Sequence, residues 1–264
     1  MKPYFETPNG VLYHGDCLEI MATLEPVDLV LTDPLYPDMR GNVKHLNGGV
    51  SRHINQSMTA GGYEANLLWV QPVWEKARLG MLVFCSFHFV ASLPDLVDGK
   101  KVNLFTWYKR NAPNPVCNVP KYNTEFVWAF QRNPGLRWRS LDTSMFDIPN
   151  LSAGCVSTGE RITNNNGTSA HPFQKPLRLV ERLLCVGGQT VLDPFTGSGT
   201  VPLACENLGR RWIGIEISEK YCEIAAKRIE RERQQLKLFP QKQEIQKPKQ
   251  EALFWFLDFL FLRE

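Results

Sequence analysis

A glycine-rich turn between a short apolar strand and a helix constrains the fold of this chain more than any other stretch. The segment from Val191 to Gly199 reads VLDPFTGSG. Residues 189–192 are apolar and partly β-branched, which is typical of a buried strand. Gly197 and Gly199 permit tight backbone geometry and the close approach of a ligand. The following residues 200–208 have the composition of a helix.

The residues after this helix complete a strand–turn–helix–strand unit. Residues 211–215 are predicted to form a strand, and Glu216 stands at its end, 19 residues after Gly197. An acid about 20 residues past such a turn is well placed to accept hydrogen bonds from ribose hydroxyls. A glycine pair alone also fits an ordinary unit with a solvated glutamate. The pattern predicts a small-cofactor site in this half of the chain.

A second motif, LTDPLY from Leu31 to Tyr36, places an acid, a proline and an aromatic after another predicted strand, residues 28–32. Asp33 follows at the carboxyl end of that strand, where ligands bind in open α/β sheets. By itself the motif fits a strand that ends in a turn. Beside the glycine unit it predicts a site for a planar polar group.

Several motifs in a fixed order resemble the DNA amino-methyltransferases that use S-adenosylmethionine. They are DPLY at Asp33, similar to the family's [DNS]-P-P-[YF], then HPFQKPLRLVERLL from His171, VLDPFTGSGT, and GRRWIGIEISEKYCEIAAKRI. The catalytic motif precedes the glycine motif, which resembles the circularly permuted β class. The likeness spans roughly residues 10–233. It implies an α/β fold, a doubly wound Rossmann-like sheet of seven strands with the last one antiparallel.

The resemblance also implies site residues. Asp33, Pro34 and Tyr36 would be catalytic. The cofactor, S-adenosylmethionine, would be bound by Asp16, Asp33, His171, Lys175, Asp193, Phe195, Gly197, Ser198, Gly199, Thr200, Glu216 and Ile217. Asp16 also fits a helix N-cap. Lys175 could pair with the cofactor carboxylate, or it could be a surface lysine beside a proline-started helix. No metal ligand is expected.

Methylation of an exocyclic amine explains why these residue types would be needed. The lone pair of such an amine is delocalised into the base. Asp33 can accept one N–H and the Pro34 carbonyl the other, which directs the lone pair at the sulfonium methyl. Tyr36 offers a ring on which a flipped base can stack. Leu35 replaces the family's second proline, which puts the rigidity of the loop in doubt.

Several functions remain compatible with these residues. N6 of adenine is preferred, because tetrapeptides that begin with Asp are more usual there; N4 of cytosine is the alternative. Asp33 would have the same geometry toward either amine. An inactive DNA- or clamp-binding module with this fold also remains compatible, as does an enzyme that acts on RNA or on a protein amide. Methylation at C5 of cytosine is disfavoured, because that reaction needs a cysteine nucleophile and the Pro-Cys dipeptide of the C5 enzymes is absent.

Basic residues predict where double-stranded DNA binds. Residues 100–140 hold eight basic side chains, a single acid (Glu125) and several aromatics, the composition of a nucleic-acid surface. Of the aromatics, Trp107 and Trp128 are expected in the core. The phosphate contacts are predicted at Arg40, Lys44, Arg52, Lys109, Arg110, Lys121, Arg137 and Arg139, with His53 as a further candidate. Solvated loop residues are an equal alternative for those in the 37–63 loop.

The domain prediction is one catalytic unit, residues 1–240, with a mobile loop at 37–63 and a small target-recognition insertion at 131–170. A polar linker, 241–250, leads to an apolar segment, 251–264, which is too short to span a bilayer. Further helices are predicted at residues 17–24, 66–78, 89–97, 177–185 and 218–236. The oligomeric state expected is a monomer or a homodimer.

Two further features suggest a compartment and a partner. Seven scattered cysteines without a C-x-x-C pair argue against a zinc site and favour a reducing cytoplasm. The pentapeptide QLKLF, from Gln235 to Phe239, resembles the bacterial sliding-clamp-binding motif, an extended apolar peptide. A frayed helix end is the alternative.

Overall fold

The computed structural model describes residues 1–34, 67–86, 89–111, 123–132, 135–141, 143–149, 151, 160–163 and 173–238. Several predicted features lie outside the described residues. They are Leu35, Tyr36, the 37–63 loop with Arg40, Lys44, Arg52 and His53, Lys121, His171, Phe239, the 241–250 linker and the 251–264 segment.

The described strands form one sheet. They are β1 (Phe5–Glu6), β2 (Gly10–His14), β3 (Val27–Thr32), β4 (Ala77–Cys85), β5 (Lys100–Tyr108), β6 (Thr124–Gln131), β7 (Met145–Asp147), β8 (Thr190–Asp193) and β9 (Arg211–Glu216). Their spatial order is β1-β2-β9-β8-β3-β4-β6-β5-β7.

Strands β2, β9, β8, β3 and β4 are parallel to one another. Strand β6 is antiparallel to both β4 and β5, and β7 is parallel to β5. The expected count of seven strands was wrong, since the described part of the sheet has nine. The two edge strands, β1 and β7, span two and three residues, too short to give a recognisable alternation. The last strand of the chain, β9, is parallel to both of its neighbours. The strands that run antiparallel to the parallel set are β1, which pairs with β2, and β6.

Helices cover both faces of the sheet. They are α1 (Cys17–Ala22), α2 (Val70–Glu75), α3 (Leu177–Leu184), α4 (Thr200–Asn207) and α5 (Glu219–Leu238). Along β3, Leu29 and Leu31 pack on the side of α3, α4 and α5, whereas Val30 packs on the side of α1 and α2. This alternation follows from the two-residue period of a strand, and it agrees with the doubly wound arrangement predicted.

Two predicted helices are shorter than expected. The one at 66–78 is reduced to α2, because Ala77 already pairs with Val27 in the sheet. The one at 89–97 contains only a 3-10 turn, Leu93–Asp95. Pro94 lacks an amide proton and its ring obstructs the preceding turn, so a continuous α-helix is disfavoured there. In the ranges described, no helix is both long and apolar enough to cross a lipid bilayer.

Candidate active site

Four acidic residues lie where parallel strands end at one edge of the sheet. Asp16 follows β2, Asp33 follows β3, Asp193 closes β8 and Glu216 closes β9. Strands β8 and β3 are neighbours, although about half the chain separates them. From β8 the sheet continues through β9 to β2, and from β3 it continues to β4. Such a reversal of strand order opens a crevice at the carboxyl ends, the usual ligand position in this architecture.

The glycine turn fits closely between β8 and α4. Gly197 and Gly199 have φ angles of 53° and 80°, in the left-handed region. A Cβ built on Gly199 would lie 2.8 Å from the Cβ of Ala225 on α5. The residue must therefore be glycine for both backbone and packing reasons. The turn is also tied to β9, because Thr196 N donates to Ile215 O at 2.9 Å.

Glu216 holds the turn from the neighbouring strand. Its Oε2 accepts the Gly197 amide at 2.7 Å and its Oε1 accepts the Ser218 amide at 2.8 Å. Burial raises the pKa of Glu216, although these hydrogen bonds and His14 act in the opposite direction. Each carboxylate oxygen has a second acceptor position. Glu216 is thus fixed at the turn and retains the capacity to accept a hydroxyl; its contact with the cofactor stays a prediction.

Three other predicted cofactor residues lie around this edge. Asp16 is exposed and caps α1, since its Oδ1 accepts Leu18 N at 2.7 Å, which confirms the N-cap expectation. Phe195 packs edge-on against Trp69, with ring centroids 5.3 Å apart. Ile217 is 67% exposed. All three occupy the side of Asp33 that carries the glycine turn.

Asp193 and Thr200 support the turn from inside. Asp193 is 3% exposed and accepts from Thr32 Oγ1 at 2.8 Å and from Phe195 N at 3.2 Å. Burial raises the pKa of Asp193 to about 7, although the hydrogen bonds from Thr32 and Phe195 lower it. The Thr200 hydroxyl accepts from Arg228 at 2.9 Å. These residues, with buried Ser198, shape the turn, a role that the sequence did not distinguish from ligand binding.

Lys175 pairs with Asp33, the predicted catalytic acid. Its side chain is 8% exposed, and its Nζ contacts Asp33 Oδ2. Nζ also lies 3.4 Å from Glu125 Oε2 and 5.2 Å from the centre of the Phe84 ring. Burial lowers the pKa of Lys175, but the two carboxylates outweigh burial and the net shift is upward. The structure therefore pairs Lys175 with Asp33, and the alternative of a surface lysine is wrong. A contact with the cofactor carboxylate stays a prediction.

Glu125 also belongs to this site, although no sequence motif predicted it. Because β6 is antiparallel to β4, its amino end lies at the same edge as Asp33. Glu125 Oε1 accepts from Lys109 Nζ at 2.6 Å. Two features of the sequence could have pointed to Glu125: it is the only acid in the basic stretch 100–140, and it stands at the start of a predicted strand. Lys109 is only 9% exposed and lies 5.1 Å from the Trp107 ring, so it is a buried ion-pair partner, not the phosphate contact predicted.

The antiparallel pair β5–β6 places the other basic residues of this stretch at two different edges of the sheet, and their contacts with DNA stay a prediction. Exposed Arg110 follows β5 at the site edge and forms a two-bond pair with Asp147, at 2.8 and 2.6 Å. Arg137 is at the opposite edge, where its amide donates to Val186 O, and exposed Arg139 follows it in a 3-10 helix. Trp107 is buried as predicted, and Trp128 is partly buried.

The residues from Gln235 to Leu238 form the end of α5. The extended conformation expected for the clamp-like peptide is therefore not found for these four residues. Clamp binding itself stays a prediction.

The chain matches known proteins along most of its length. A family profile described as DNA methylase, for N6 and N4 enzymes, matches residues 27–227. The type II methyltransferase M2.DpnII of Streptococcus pneumoniae is 29% identical over 251 residues, which cover 88% of this chain and 93% of that protein. M2.LlaDCHI of Lactococcus lactis subsp. cremoris is 27% identical, covering 86% and 92%.

Solved structures share the fold. The complex of M1.HpyAVI with SAM superposes with a TM-score of 0.60 at 24% identity, covering 83% of this chain and 98% of that one. The PvuII DNA methyltransferase, described as cytosine-N4-specific, gives a TM-score of 0.63 at 20% identity, covering 85% and 88%. The nine-stranded sheet thus has the architecture of these methyltransferases.

Proposed function

Since this chain belongs to the N6/N4 DNA methylase family, we propose that it transfers the methyl group of S-adenosylmethionine to N6 of adenine in double-stranded DNA. One observation carries the proposal. Asp33 stands at the reversal of strand order, with the glycine turn on one side and the Lys175–Glu125 pair on the other. A carboxylate in this position lies between a cofactor half and a substrate half of the same edge.

The residues on the glycine side fit S-adenosylmethionine. Gly199 lets the turn pack against Ala225 of α5, and both Gly197 and Gly199 adopt the left-handed backbone that makes the turn tight. Glu216 retains acceptor positions suited to ribose hydroxyls, and Asp16 stands next to it, since Gly15 N donates to Glu216 O at 3.0 Å. When bound, the cofactor supplies an electrophilic methyl group on a sulfonium sulfur.

Asp33 acts on the target amine in this proposal. A carboxylate offers about four acceptor positions, so the ion pair with Lys175 is compatible with a further hydrogen bond from the amine. The Pro34 carbonyl accepts the second N–H. The carboxylate charge stabilises the positive charge that develops on the nitrogen as the N–C bond forms and the S–C bond breaks. The extra proton on the nitrogen then passes to solvent, which leaves a neutral methylated amine.

Adenine is preferred because the tetrapeptide DPLY begins with an aspartate, Asp33. N4 of cytosine is the second candidate, because that amine offers Asp33 the same two N–H groups, and a structure with this fold is described as cytosine-N4-specific. In a duplex either base has to be flipped out before its amine reaches the edge of the sheet.

Transfer from radiolabelled S-adenosylmethionine to unmethylated bacterial DNA, followed by nucleoside analysis, tests the proposal. We expect N6-methyladenine from the wild type and none from Asp33→Ala. N4-methylcytosine would keep the reaction and correct the base. A protein that binds the cofactor but methylates neither base would refute the proposal in favour of an inactive binding module or a substrate other than DNA.

The clamp contact is a separate proposal about a partner. A bacterial sliding clamp would bind the peptide from Gln235 to Phe239 after the last turn of α5 unwinds. Binding of purified clamp should be saturable and should be lost in Leu238→Ala and Phe239→Ala. An absence of saturable binding by the wild type would reject this partner.

A further inference from the structure

Four charged side chains alternate in sign from the residue that follows β5 to the proposed catalytic acid. Lys109 Nζ lies 2.6 Å from Glu125 Oε1, Glu125 Oε2 lies 3.4 Å from Lys175 Nζ, and Lys175 contacts Asp33. Their side chains are between 8% and 24% exposed. Two positive and two negative charges cancel, as groups withdrawn from water require.

Glu125 is the member that both lysines share. Burial raises the pKa of Glu125, but Lys175 and Lys109 outweigh it and the net shift is downward, so the side chain is anionic. If the Glu125 charge were removed, Asp33 would be the only carboxylate left among these four side chains, facing two ammonium groups. The Lys175 ammonium would then be drawn more strongly to Asp33.

That change would act against methyl transfer. A target amine must donate to the Asp33 carboxylate, and it becomes positive as the methyl arrives. An uncompensated ammonium beside Asp33 would compete for the same oxygens and would repel the developing charge, strongly so in a poorly solvated site. Glu125 offsets the ammonium charge without needing to contact the base.

We propose that Glu125 is a positioning residue for the methyl-transfer step: it fixes and electrostatically offsets Lys175, so that Asp33 remains available to the target amine. This inference rests on the proposed function. It concerns the rate of transfer and not the affinity for the cofactor, since Glu125 lies on the side of Asp33 away from the glycine turn.

Single-turnover transfer at saturating DNA and cofactor provides the test. We expect Glu125→Gln to slow transfer by about 10- to 100-fold, a size typical of one lost electrostatic contact, with cofactor affinity within about twofold of wild type. The double variant Glu125→Gln/Lys109→Met restores charge balance and should regain most of the lost rate. Glu223→Gln is the matched control, because it removes the carboxylate of the exposed ion pair between Glu223 and Lys227 on α5.

A merely structural role predicts that the double variant is slower than Glu125→Gln. That result, or an unchanged rate in Glu125→Gln, would overturn the inference. If Glu125→Gln does not fold, Glu125→Asp takes its place: it keeps the charge on a shorter side chain, and a several-fold slower transfer at unchanged cofactor affinity is expected. An unchanged rate there would also overturn it.

A second readout separates this inference from the proposed function. NMR titration of lysine labelled with 13C at Cε, with Lys175 assigned by Lys175→Met, reports the pKa of Lys175 directly. The charged groups facing it are Asp33 and Glu125. Loss of Glu125 should lower the Lys175 pKa, and an unchanged pKa would overturn the positioning role. A wild type that methylates no DNA would refute the proposed function. The titration would still show whether Glu125 acts on the charge of Lys175.

Discussion

The guanidinium of Arg228, on α5, donates a hydrogen bond of 2.9 Å to the hydroxyl of Thr200, the first residue of α4. It also donates to Ser198 O at 3.2 Å, and it lies 3.4 Å from Glu160 Oε1. Glu160 Oε1 in turn accepts the amide of Leu177 at 2.5 Å, at the start of α3. The Arg228 side chain, only 11% exposed, therefore joins the glycine turn to the segment that carries Lys175, the partner of the proposed catalytic acid.

Replacement of Arg228 by methionine should weaken both the fold and the cofactor site. Burial lowers the pKa of Arg228 to about 10, although Glu160 and Glu232 act in the opposite direction. We expect a loss of about 2 kcal/mol in the free energy of unfolding, because Glu160 and Ser198 lose a buried donor. Urea denaturation and calorimetric titration with S-adenosylmethionine measure the two effects. Arg231→Met, at an exposed position on the same helix, is the control; equal effects in both variants would contradict this role.

Gly199→Ala should cost more stability than Gly209→Ala, although both glycines have positive φ. A Cβ at Gly199 would lie 2.8 Å from Ala225 Cβ, whereas a Cβ at Gly209 would meet nothing within 4 Å. Left-handed backbone costs a non-glycine residue about 1–2 kcal/mol at either site. The overlap with α5 adds to that cost only at Gly199, where cofactor affinity should also fall.

The comparison of these two alanine variants by thermal unfolding isolates the close packing of the turn on α5. Similar losses of stability, together with unchanged cofactor binding in Gly199→Ala, would show that the turn tolerates a side chain. The structure predicts the opposite result.

Asp193 should make the protein less stable as the pH rises from about 4 to about 7. Its folded-state pKa of about 7 lies above the ordinary value of 3.8. In this window the unfolded chain releases a proton that the folded protein retains, so the free energy of unfolding falls by up to about 1.4 kcal/mol per pH unit. Below the window both states are protonated and the effect vanishes.

The variant Asp193→Asn tests this pH dependence, because asparagine keeps an oxygen that can accept from Thr32 and Phe195 but does not titrate. Denaturant unfolding measured from pH 4 to pH 8 should show the variant gaining stability relative to the wild type until about pH 7 and then levelling off. Parallel curves for the two proteins would mean that Asp193 does not titrate in this range.

Local patterns were sufficient to predict the glycine half of the site. The strand before Asp193, the turn at Gly197 and Gly199, and Glu216 at the next strand end lie within one short stretch of chain. Their geometry follows from glycine backbone freedom and strand periodicity, which act over a few residues. The N-cap at Asp16 and the buried position of Trp107 were predicted for similar reasons.

The half of the site that holds Lys175, Asp33 and Glu125 could not be predicted in the same way, because its contacts join distant parts of the chain. Lys175 and Asp33 are 142 residues apart, and the antiparallel direction of β6 decides that Glu125 reaches them. A count of basic residues does not reveal which end of a strand each one occupies. This is why Lys109 was taken for a surface residue and why Arg137 was grouped with residues at the opposite edge.

Single-turnover methyl transfer by Asp33→Asn beside the wild type, with cofactor affinity measured on the same samples, tests whether Asp33 is the catalytic acid. Asparagine keeps the size and an acceptor oxygen but removes the charge. We predict a rate at least about 100-fold lower, as for the loss of a key electrostatic group, with cofactor affinity largely retained. An Asp33→Asn protein that methylates DNA at close to the wild-type rate would contradict the assignment of Asp33 as the catalytic acid.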